Sequence, residues 1–297
     1  MFKKILNLLS DAMTYGVSSL LGQVIGLLLL PIYTRYLMPA DQWEIAMLTL
    51  LGVSLGPLGQ LGMTAAVFRR FSMAKTDDQR GEAMSTALCT VGVSSLVTAA
   101  IGWMCAGWIS TLIVGDARIT DLVRIAIVSA TATTIGSVPM AILRASRRVR
   151  TAATVNVARL LVTVCTTIWL VVGLEWGVRG VVVGTLVGEV SLATVLFVLT
   201  VRSFQFGPSR SALRGMAAYG LPFVPHHLQV LAMTFFGQYW VGHMLGATDG
   251  GLYNTAVKMT MPLVFVVNAI QNAWVAYKFE IHAKDEDPAA WFRTEVT

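Results

Sequence analysis

Three charged residues, Arg159, Glu189 and Lys258, lie inside stretches of the sequence that are otherwise apolar. A charge inside such a stretch is costly when the stretch crosses a bilayer, unless it faces protein or water. Arg159 either reaches back to the membrane surface or contacts an anion in a cavity, because guanidinium matches phosphate geometry. Glu189 pairs with Arg159, acts as a proton or cation site, or is protonated and buried.

Polar side chains continue the pattern on single helix faces, each about 80° wide or less at 100° per residue. The first stripe contains Asn254, Lys258, Asn268 and Asn272. It predicts either a helix that faces a wet cavity or a helix–helix seam held by asparagines. The second stripe contains Asn156, Arg159, Thr163 and Thr167.

A third stripe follows the proline pair Pro222 and Pro225, which predicts a kinked or unwound helix start. It contains His227, Thr234 and Gln238. His226 and His227 are more typical of hydrogen-bonded packing than of proton transfer. No third ligand stands at a spacing that indicates a metal site, and nothing in the sequence implies a cofactor.

Composition sets the fold class. Of 297 residues, 55% are hydrophobic and only 13% are charged, and the mean hydropathy is +0.67. A soluble chain would carry about a quarter charged residues, so this chain is adapted to lipid. No segment alternates as a barrel strand does. We therefore predict an all-α, polytopic transmembrane helix bundle.

Hydropathy predicts about eight spans of about 20 residues each. They lie near 12–34, 45–66, 86–113, 122–143, 152–174, 178–200, 217–245 and 252–276. Sixteen of the 22 lysines and arginines fall in the tails and alternate loops on one side, against four on the other. The positive-inside rule then places both termini in the cytoplasm, and the basic side contacts anionic lipids and not nucleic acid.

Small residues predict close helix contact in the sixth span, where Gly180, Gly184 and Gly188 recur every four residues. The three cysteines, Cys89, Cys105 and Cys165, fit no zinc site or disulfide framework and are expected as small buried hydrophobes. No catalytic constellation, phosphate loop or nucleophile elbow is present, so no enzyme activity is predicted.

Several stretches resemble the polysaccharide flippases of the MOP superfamily, the Wzx-like O-antigen and capsule translocases. They include "LLLLPIYTRYLMPADQWE", "LGMTAAVFRRF", "RASRRVRTAATVNVARLLVTV" and, most specifically, "YGLPFVPHHLQVLAMTFFGQYWVGHMLGATDGGLYNTAVKM". The resemblance covers essentially the whole chain. It implies two six-helix lobes around a central cavity, which alternate between the two sides of the membrane.

Against that pattern the sequence predicts a complete first lobe and two helices of a second. The expected parts are a six-helix lobe at 1–201, a cytoplasmic linker at 202–215, two helices of the second lobe at 216–277 and a cytoplasmic tail at 278–297. The chain is therefore expected to be a truncated or split product.

The function implied is translocation of a polyprenyl-diphosphate-linked oligosaccharide across the cytoplasmic (inner) membrane for O-antigen, capsule or exopolysaccharide synthesis, beside polysaccharide assembly partners. The substrate-binding candidates are Arg159, Lys258, Asn156, Asn254, Asn268, Asn272 and Gln238, and the ion-coupling candidates are Glu189 and His227. Two alternatives stay open: a multidrug or peptidoglycan-precursor exporter of the same superfamily, and a non-transporting membrane protein.

Overall fold

The computed structural model describes residues 29–74, 76–146, 148–200, 207, 209–260, 263 and 267. The chain divides into two compact units, Met1–Ala256 and Val257–Thr297. The helix packing and the cavity described below belong to the first unit. In the second unit, the described residues 257–260, 263 and 267 are helical.

Helices account for nearly all of the described residues, which contain no strand. The helices are α1 (described over 29–36), α2 (Pro39–Gln60), α3 (Met63–Met73), α4 (Asp77–Met104), α5 (Ala106–Ile113), α6 (Thr120–Ala145), α7 (Val149–Ile168), α8 (Gly177–Thr200), α9 (Arg210–Gly220), α10 (Phe223–Leu245) and α11 (247–260). A 3₁₀ turn at Ala117–Ile119 precedes α6, and a π turn at Trp169–Gly173 extends α7. The predicted all-α class is confirmed.

Four helices in the described part of the chain are long and apolar enough to cross a membrane: Asp77–Met104, Ala117–Ala145, Arg150–Gly173 and Gly177–Thr200. A fifth span is formed if α2 and α3 are taken together, since they meet at a bend of 46°. These helices match the predicted spans two to six. Most of the predicted first and eighth spans lies outside the described residues.

The bend between α2 and α3 has a local cause in the sequence. Leu61 and Gly62 adopt the left-handed conformation, with φ of 48° and 69°. Glycine populates this region without steric cost, so the pair ends α2 and restarts the chain in a new direction. Thr76 begins the next helix, because its Oγ1 accepts a hydrogen bond from the Gln79 backbone N–H at 3.3 Å.

The centre of the first unit is α6, which packs against α2, α4 and α8. Its buried Val123 and Ile127 lie in one apolar cluster with Leu48 and Leu51 of α2. Many large apolar side chains point outward instead, including Ile101 and Val198, which are 59% and 63% exposed. This outward apolar surface is what a bilayer requires of a membrane protein.

The cysteine expectation was wrong, because Cys89, Cys105 and Cys165 are all exposed on the surface of the protein. All three lie within or at the ends of helices long and apolar enough to cross a membrane. An apolar side chain in such a helix gains nothing from burial against protein, because lipid tails are equally apolar.

Close packing of α7 against α8 confirms the predicted small-residue face. A Cβ at Gly184 would lie 3.0 Å from Thr167 Cα, and one at Gly188 would lie 3.0 Å from Thr163 Cβ. Gly180 approaches Leu170 and Val171 in the same way. We call this contact, formed by Gly180, Gly184 and Gly188 against α7, the glycine seam.

Candidate functional site

A cavity of about 690 Å³ lies between α2, α6, α8 and α10. Its wall is largely apolar, with polar groups spaced around it. That combination is typical of sites that bind organic ligands. The polar lining residues are Thr49, Gln60, Ser129, Thr133, Thr134, Thr185, Glu189, His226 and His227.

The threonine hydroxyls of this lining share one hydrogen-bond arrangement. Thr49 donates to Ile45 O at 2.7 Å and Thr185 donates to Val181 O at 2.9 Å, each to the carbonyl four residues earlier in its own helix. Thr133 donates to Ser129 O at 3.0 Å in the same way. Because each hydroxyl proton is used by the helix, the oxygen lone pairs remain as acceptors for the hydroxyl donors of a ligand.

Gln60 and the two histidines add donors to the lining. Gln60 Oε1 accepts from Thr64 Oγ1 at 3.0 Å, which leaves the Gln60 amide nitrogen to donate. His227 Nδ1 lies 2.7 Å from Phe223 O, and a carbonyl only accepts, so Nδ1 carries the proton. Both histidines lie on the first turns of α10, which starts after the break at Leu221 and Pro222. The predicted interruption by proline is present there.

Arg159 and Glu189 form an ion pair, which was one of three alternatives for Glu189. Arg159 Nη1 donates to Glu189 Oε1 at 2.5 Å, and Arg159 Nε and Nη2 donate to Asn156 Oδ1 at 3.3 and 3.2 Å. Glu189 is buried and lines the cavity. Arg159 and Asn156 are not among the lining residues of this cavity, because their helix, α7, packs behind α8.

In the described part of the eighth span, asparagine makes a helix–helix seam. Asn254 is 4% exposed, and its Nδ2 donates to the Gln42 backbone carbonyl at 3.2 Å. Thr255 Oγ1 donates to Gln42 Oε1 at 2.7 Å beside it. Lys258 is half-buried in the second unit. Asn268 and Asn272 lie outside the described residues, so the wet-cavity alternative stays a prediction for that end of the helix.

Gln238 is buried on α10, and its Oε1 has no hydrogen-bond partner among the described residues. It is not among the lining residues of the cavity. The third predicted stripe is therefore divided by the structure, since His227 lines the cavity and Gln238 does not.

Glycine contacts bring α9, α10 and α11 against α2 and α3 at opposite ends of α2. At the end that contains Gln60, a Cβ at Gly220 would lie 2.8 Å from Gly62 O. At the end that contains Pro39, Trp43 is 3% exposed and packs directly on Gly242 and Gly250. The cavity is lined by residues between these two contacts.

Sequence reasoning alone missed most of the lining residues contributed by α2 and α6. A signal was present, because Thr49, Gly56 and Gln60 follow one another at intervals of seven and four residues on α2. Residues at these intervals share a helix face. Hydroxyl and glycine residues in an apolar helix resemble ordinary packing residues, however, and only the neighbouring helices distinguish a cavity wall from a seam.

The fold and the cavity together define a polytopic helical membrane protein with a ligand-sized cavity between its helices, whose largely apolar wall carries spaced polar groups. A family model described as "Polysaccharide biosynthesis protein" matches residues 32–282. The chain belongs to this family, which confirms the resemblance to polysaccharide flippases at the level of the family. Comparison with curated proteins found no match.

Solved transporter structures share the fold. An inward-facing multidrug resistance MATE family transporter of the MOP superfamily aligns with a TM-score of 0.66 and 19% identity, covering 88% of this chain and 63% of that one. The MATE multidrug transporter DinF-BH aligns with a TM-score of 0.70 and 12% identity over 87% of this chain and 61% of that one. A MOP superfamily transporter from Pyrococcus furiosus aligns with a TM-score of 0.54 and 17% identity, covering 96% of this chain and 74% of that one.

These alignments establish the fold of the MOP superfamily transporters for this chain. The chain spans less than two thirds of the length of the first two neighbours.

Proposed function

We propose that this chain takes part in flipping a polyprenyl-diphosphate-linked oligosaccharide from the cytoplasmic to the periplasmic leaflet of the inner membrane, with both termini in the cytoplasm. One observation carries the proposal: a hydroxyl-lined cavity inside the transporter fold of a polysaccharide biosynthesis family member. The proposed partners are the glycolipid itself, anionic lipids at the cytoplasmic face and the polysaccharide assembly machinery.

The hydrogen-bonding character of the cavity fits sugar. Each sugar hydroxyl needs an acceptor for its proton once it leaves water, and the cost of leaving it unpaired is about 1–3 kcal/mol. Thr49, Thr133 and Thr185 offer such acceptors, and Gln60 offers a donor. The apolar parts of the wall suit the carbon faces of sugar rings. The polyprenyl tail can remain in the bilayer during the passage.

The charge of the cavity argues against the multidrug alternative. A site for cationic drugs needs a carboxylate whose charge is available to the drug. In this cavity, the carboxylate of Glu189 is already compensated by Arg159 at 2.5 Å. The pair is neutral as a whole, so the cavity offers no uncompensated carboxylate to a cationic drug, and its hydroxyl groups suit the sugar part of the cargo.

Roles for the remaining candidates follow from this proposal. Arg159 and Lys258 are each a proposed contact of the diphosphate. Asn156, Asn254, Asn268, Asn272 and Gln238 are proposed to bind the sugar or to hold the helices that bind it. Glu189 and His227 are the proposed coupling groups. For Asn254 the hydrogen bond to Gln42 supports the positioning role.

Removal of the cavity hydroxyls tests the proposal. We expect the double variant T133V/T185V to translocate a lipid-linked oligosaccharide about thirtyfold more slowly, because two hydrogen bonds of about 1 kcal/mol each are lost. The measurement uses proteoliposomes and a fluorescent polyprenyl-diphosphate disaccharide whose exposure is followed by an external glycosidase.

The matched control for this experiment is T194V. Thr194 lies on α8 as Thr185 does and donates to Val190 O at 2.8 Å, but it is exposed and does not line the cavity. T194V should translocate at the wild-type rate. An unchanged rate in T133V/T185V, or transport of a rhodamine dye in place of the glycolipid, would contradict the proposal.

A further inference from the structure

Two glycines of α2, Gly52 and Gly56, line the cavity with open space beside them. A Cβ at Gly56 would have no atom of the described residues within 4 Å, and a Cβ at Gly52 would lie 4.0 Å from Ala130 Cβ, an ordinary contact. Gly59 on the same helix differs, since its Cβ would lie only 3.0 Å from Thr134 Cγ2. Close helix packing therefore explains Gly59 but does not explain Gly52 and Gly56.

Glycine at these two positions weakens α2, because alanine favours a helix more than glycine does. In the described part of the chain, no neighbouring helix uses the space that the missing side chains leave. Glycine also allows a ligand to approach the backbone closely. Since Gly52 and Gly56 both line the cavity, their exposed backbone is available to a molecule inside it.

The same face of α2 provides a backbone acceptor. Pro57 lies inside α2 and lines the cavity together with Val53. Proline has no N–H, so the Val53 carbonyl loses the donor that the residue four positions later supplies in a regular helix. A carbonyl at a cavity wall can then accept a hydrogen bond from a ligand. We call Gly52, Val53, Gly56 and Pro57 the bare strip.

We propose that the bare strip receives a sugar ring of the cargo. The flat face of the ring lies against the backbone of Gly52 and Gly56, and one ring hydroxyl donates to Val53 O. Thr49 and Gln60 line the cavity on either side of the strip along α2, where they meet further hydroxyls. The inference rests on the proposed function and assigns the sugar, and not the diphosphate or the prenyl chain, to α2.

The experiment measures equilibrium binding of two probes, farnesyl diphosphate and a farnesyl-diphosphate-linked disaccharide, to the 297-residue chain in nanodiscs of zwitterionic lipid. We expect G52A/G56A to bind the disaccharide lipid about tenfold more weakly than wild type, because two methyl groups occupy the place of the ring. Its binding of farnesyl diphosphate should be unchanged. The variant should melt at or above the wild-type temperature, so that the loss of binding is separated from a loss of folding.

The matched control is G92A/G107A, which adds two methyl groups on α4 and α5. No atom of the described residues lies within 4 Å of either added Cβ, and neither glycine lines the cavity. This variant should bind both probes as wild type does, and it should also melt at or above the wild-type temperature.

A second variant, P57A, tests the backbone acceptor. Alanine restores the N–H that pairs with Val53 O in a regular helix, so the acceptor is no longer available to the sugar. We expect about fivefold weaker binding of the disaccharide lipid, as for the loss of one hydrogen bond, and unchanged binding of farnesyl diphosphate. P139A is its control, because Pro139 lies inside α6 and does not line the cavity.

Two results would overturn the inference. In the first, G52A/G56A binds the disaccharide lipid as tightly as wild type does. In the second, the two probes are weakened equally in this variant, which would assign the bare strip to the prenyl chain or the diphosphate. Failure of the proposed function looks different, because the wild-type protein would then bind neither probe, and the inference would fall with it.

Discussion

At the scale of the residue, the pairing of Arg159 with Glu189 decides the electrostatics of the molecule's interior. Removing one member of a buried ion pair leaves the other charge uncompensated, which costs about 3–5 kcal/mol. Replacing both members by apolar residues of similar volume is often neutral or stabilising. The Arg159 side chain is 24% exposed and that of Glu189 is 8% exposed, so the remaining carboxylate would be poorly hydrated.

We therefore expect R159L to lower the unfolding temperature of the protein in lipid nanodiscs, and R159L/E189L to recover most of the loss. The free energy change of the single variant should be about 3 kcal/mol. Thermal unfolding followed by tryptophan fluorescence measures both. If R159L is as stable as wild type, the loss of Arg159 does not leave Glu189 as a destabilising uncompensated charge.

The sequence alone left the Arg159–Glu189 ion pair as one of three alternatives for Glu189. The choice between them stayed open because of the limited information in a helical wheel. It correctly places Asn156, Arg159, Thr163 and Thr167 on one face of α7. It does not report which neighbour that face meets. In the structure the face meets the glycine seam of α8, where Thr163 and Thr167 pack on Gly188 and Gly184.

At the scale of the element, the glycine seam fixes how closely α7 can approach α8. Because a Cβ at Gly184 would lie 3.0 Å from both Cα and N of Thr167, the added methyl would meet backbone and not a mobile side-chain tip. Relief would require the two helices to separate. The ion pair that spans the same helices would then be lengthened.

We expect G184A to destabilise the protein by about 1–3 kcal/mol, the usual cost of overpacking a well-packed contact. The matched control is G92A on α4, where no atom lies within 4 Å of the added Cβ. Since alanine favours a helix over glycine by about 1 kcal/mol, G92A should be neutral or stabilising. Equal melting temperatures for the two variants would show that the seam tolerates a larger separation.

The glycine seam shows which elements the sequence can predict. A repeat of small residues every four positions has one physical explanation in a membrane, close helix approach, and the structure confirms it. The cavity wall had no such unique signature. Thr49 and Gln60 of α2 become a wall only because α6, α8 and α10 stand back from them, and that spacing depends on residues far away in the sequence.

At the scale of the whole first unit, the cavity lies between two contacts made by glycine. Gly62 and Gly220 meet at the bend between α2 and α3, and the arginines of α3 belong to the side that the positive-inside rule predicts to be cytoplasmic. Trp43 packs on Gly242 and Gly250 near the opposite end of α2. Under the proposed function, passage of a head group requires each contact to part in turn. The backbone contact between Gly62 and Gly220 can part without unlocking interdigitated side chains.

Gly220 is the better position at which to weaken the Gly62–Gly220 contact, because Gly62 has a φ of 69° and any substitution there strains the backbone as well. In G220A the added Cβ would meet Gly62 O at 2.8 Å, so α9 must move away from the α2–α3 bend. We expect a cysteine at position 133, in the cavity wall, to react faster with a membrane-impermeant thiol reagent applied from the cytoplasmic side.

The matched control is G215A on the same helix, where the nearest atom, Arg70 Nη1, would lie at an ordinary 3.7 Å. Both variants are compared with wild type in a background that lacks Cys89, Cys105 and Cys165 and carries T133C. G215A should leave the labelling rate unchanged, while G220A raises it from the cytoplasmic side alone. The Trp43 contact is intact in both variants, so faster labelling from both sides would mean that G220A loosens the whole helix bundle. Equal labelling rates in G220A and G215A would mean that the contact between Gly62 and Gly220 does not close the cavity.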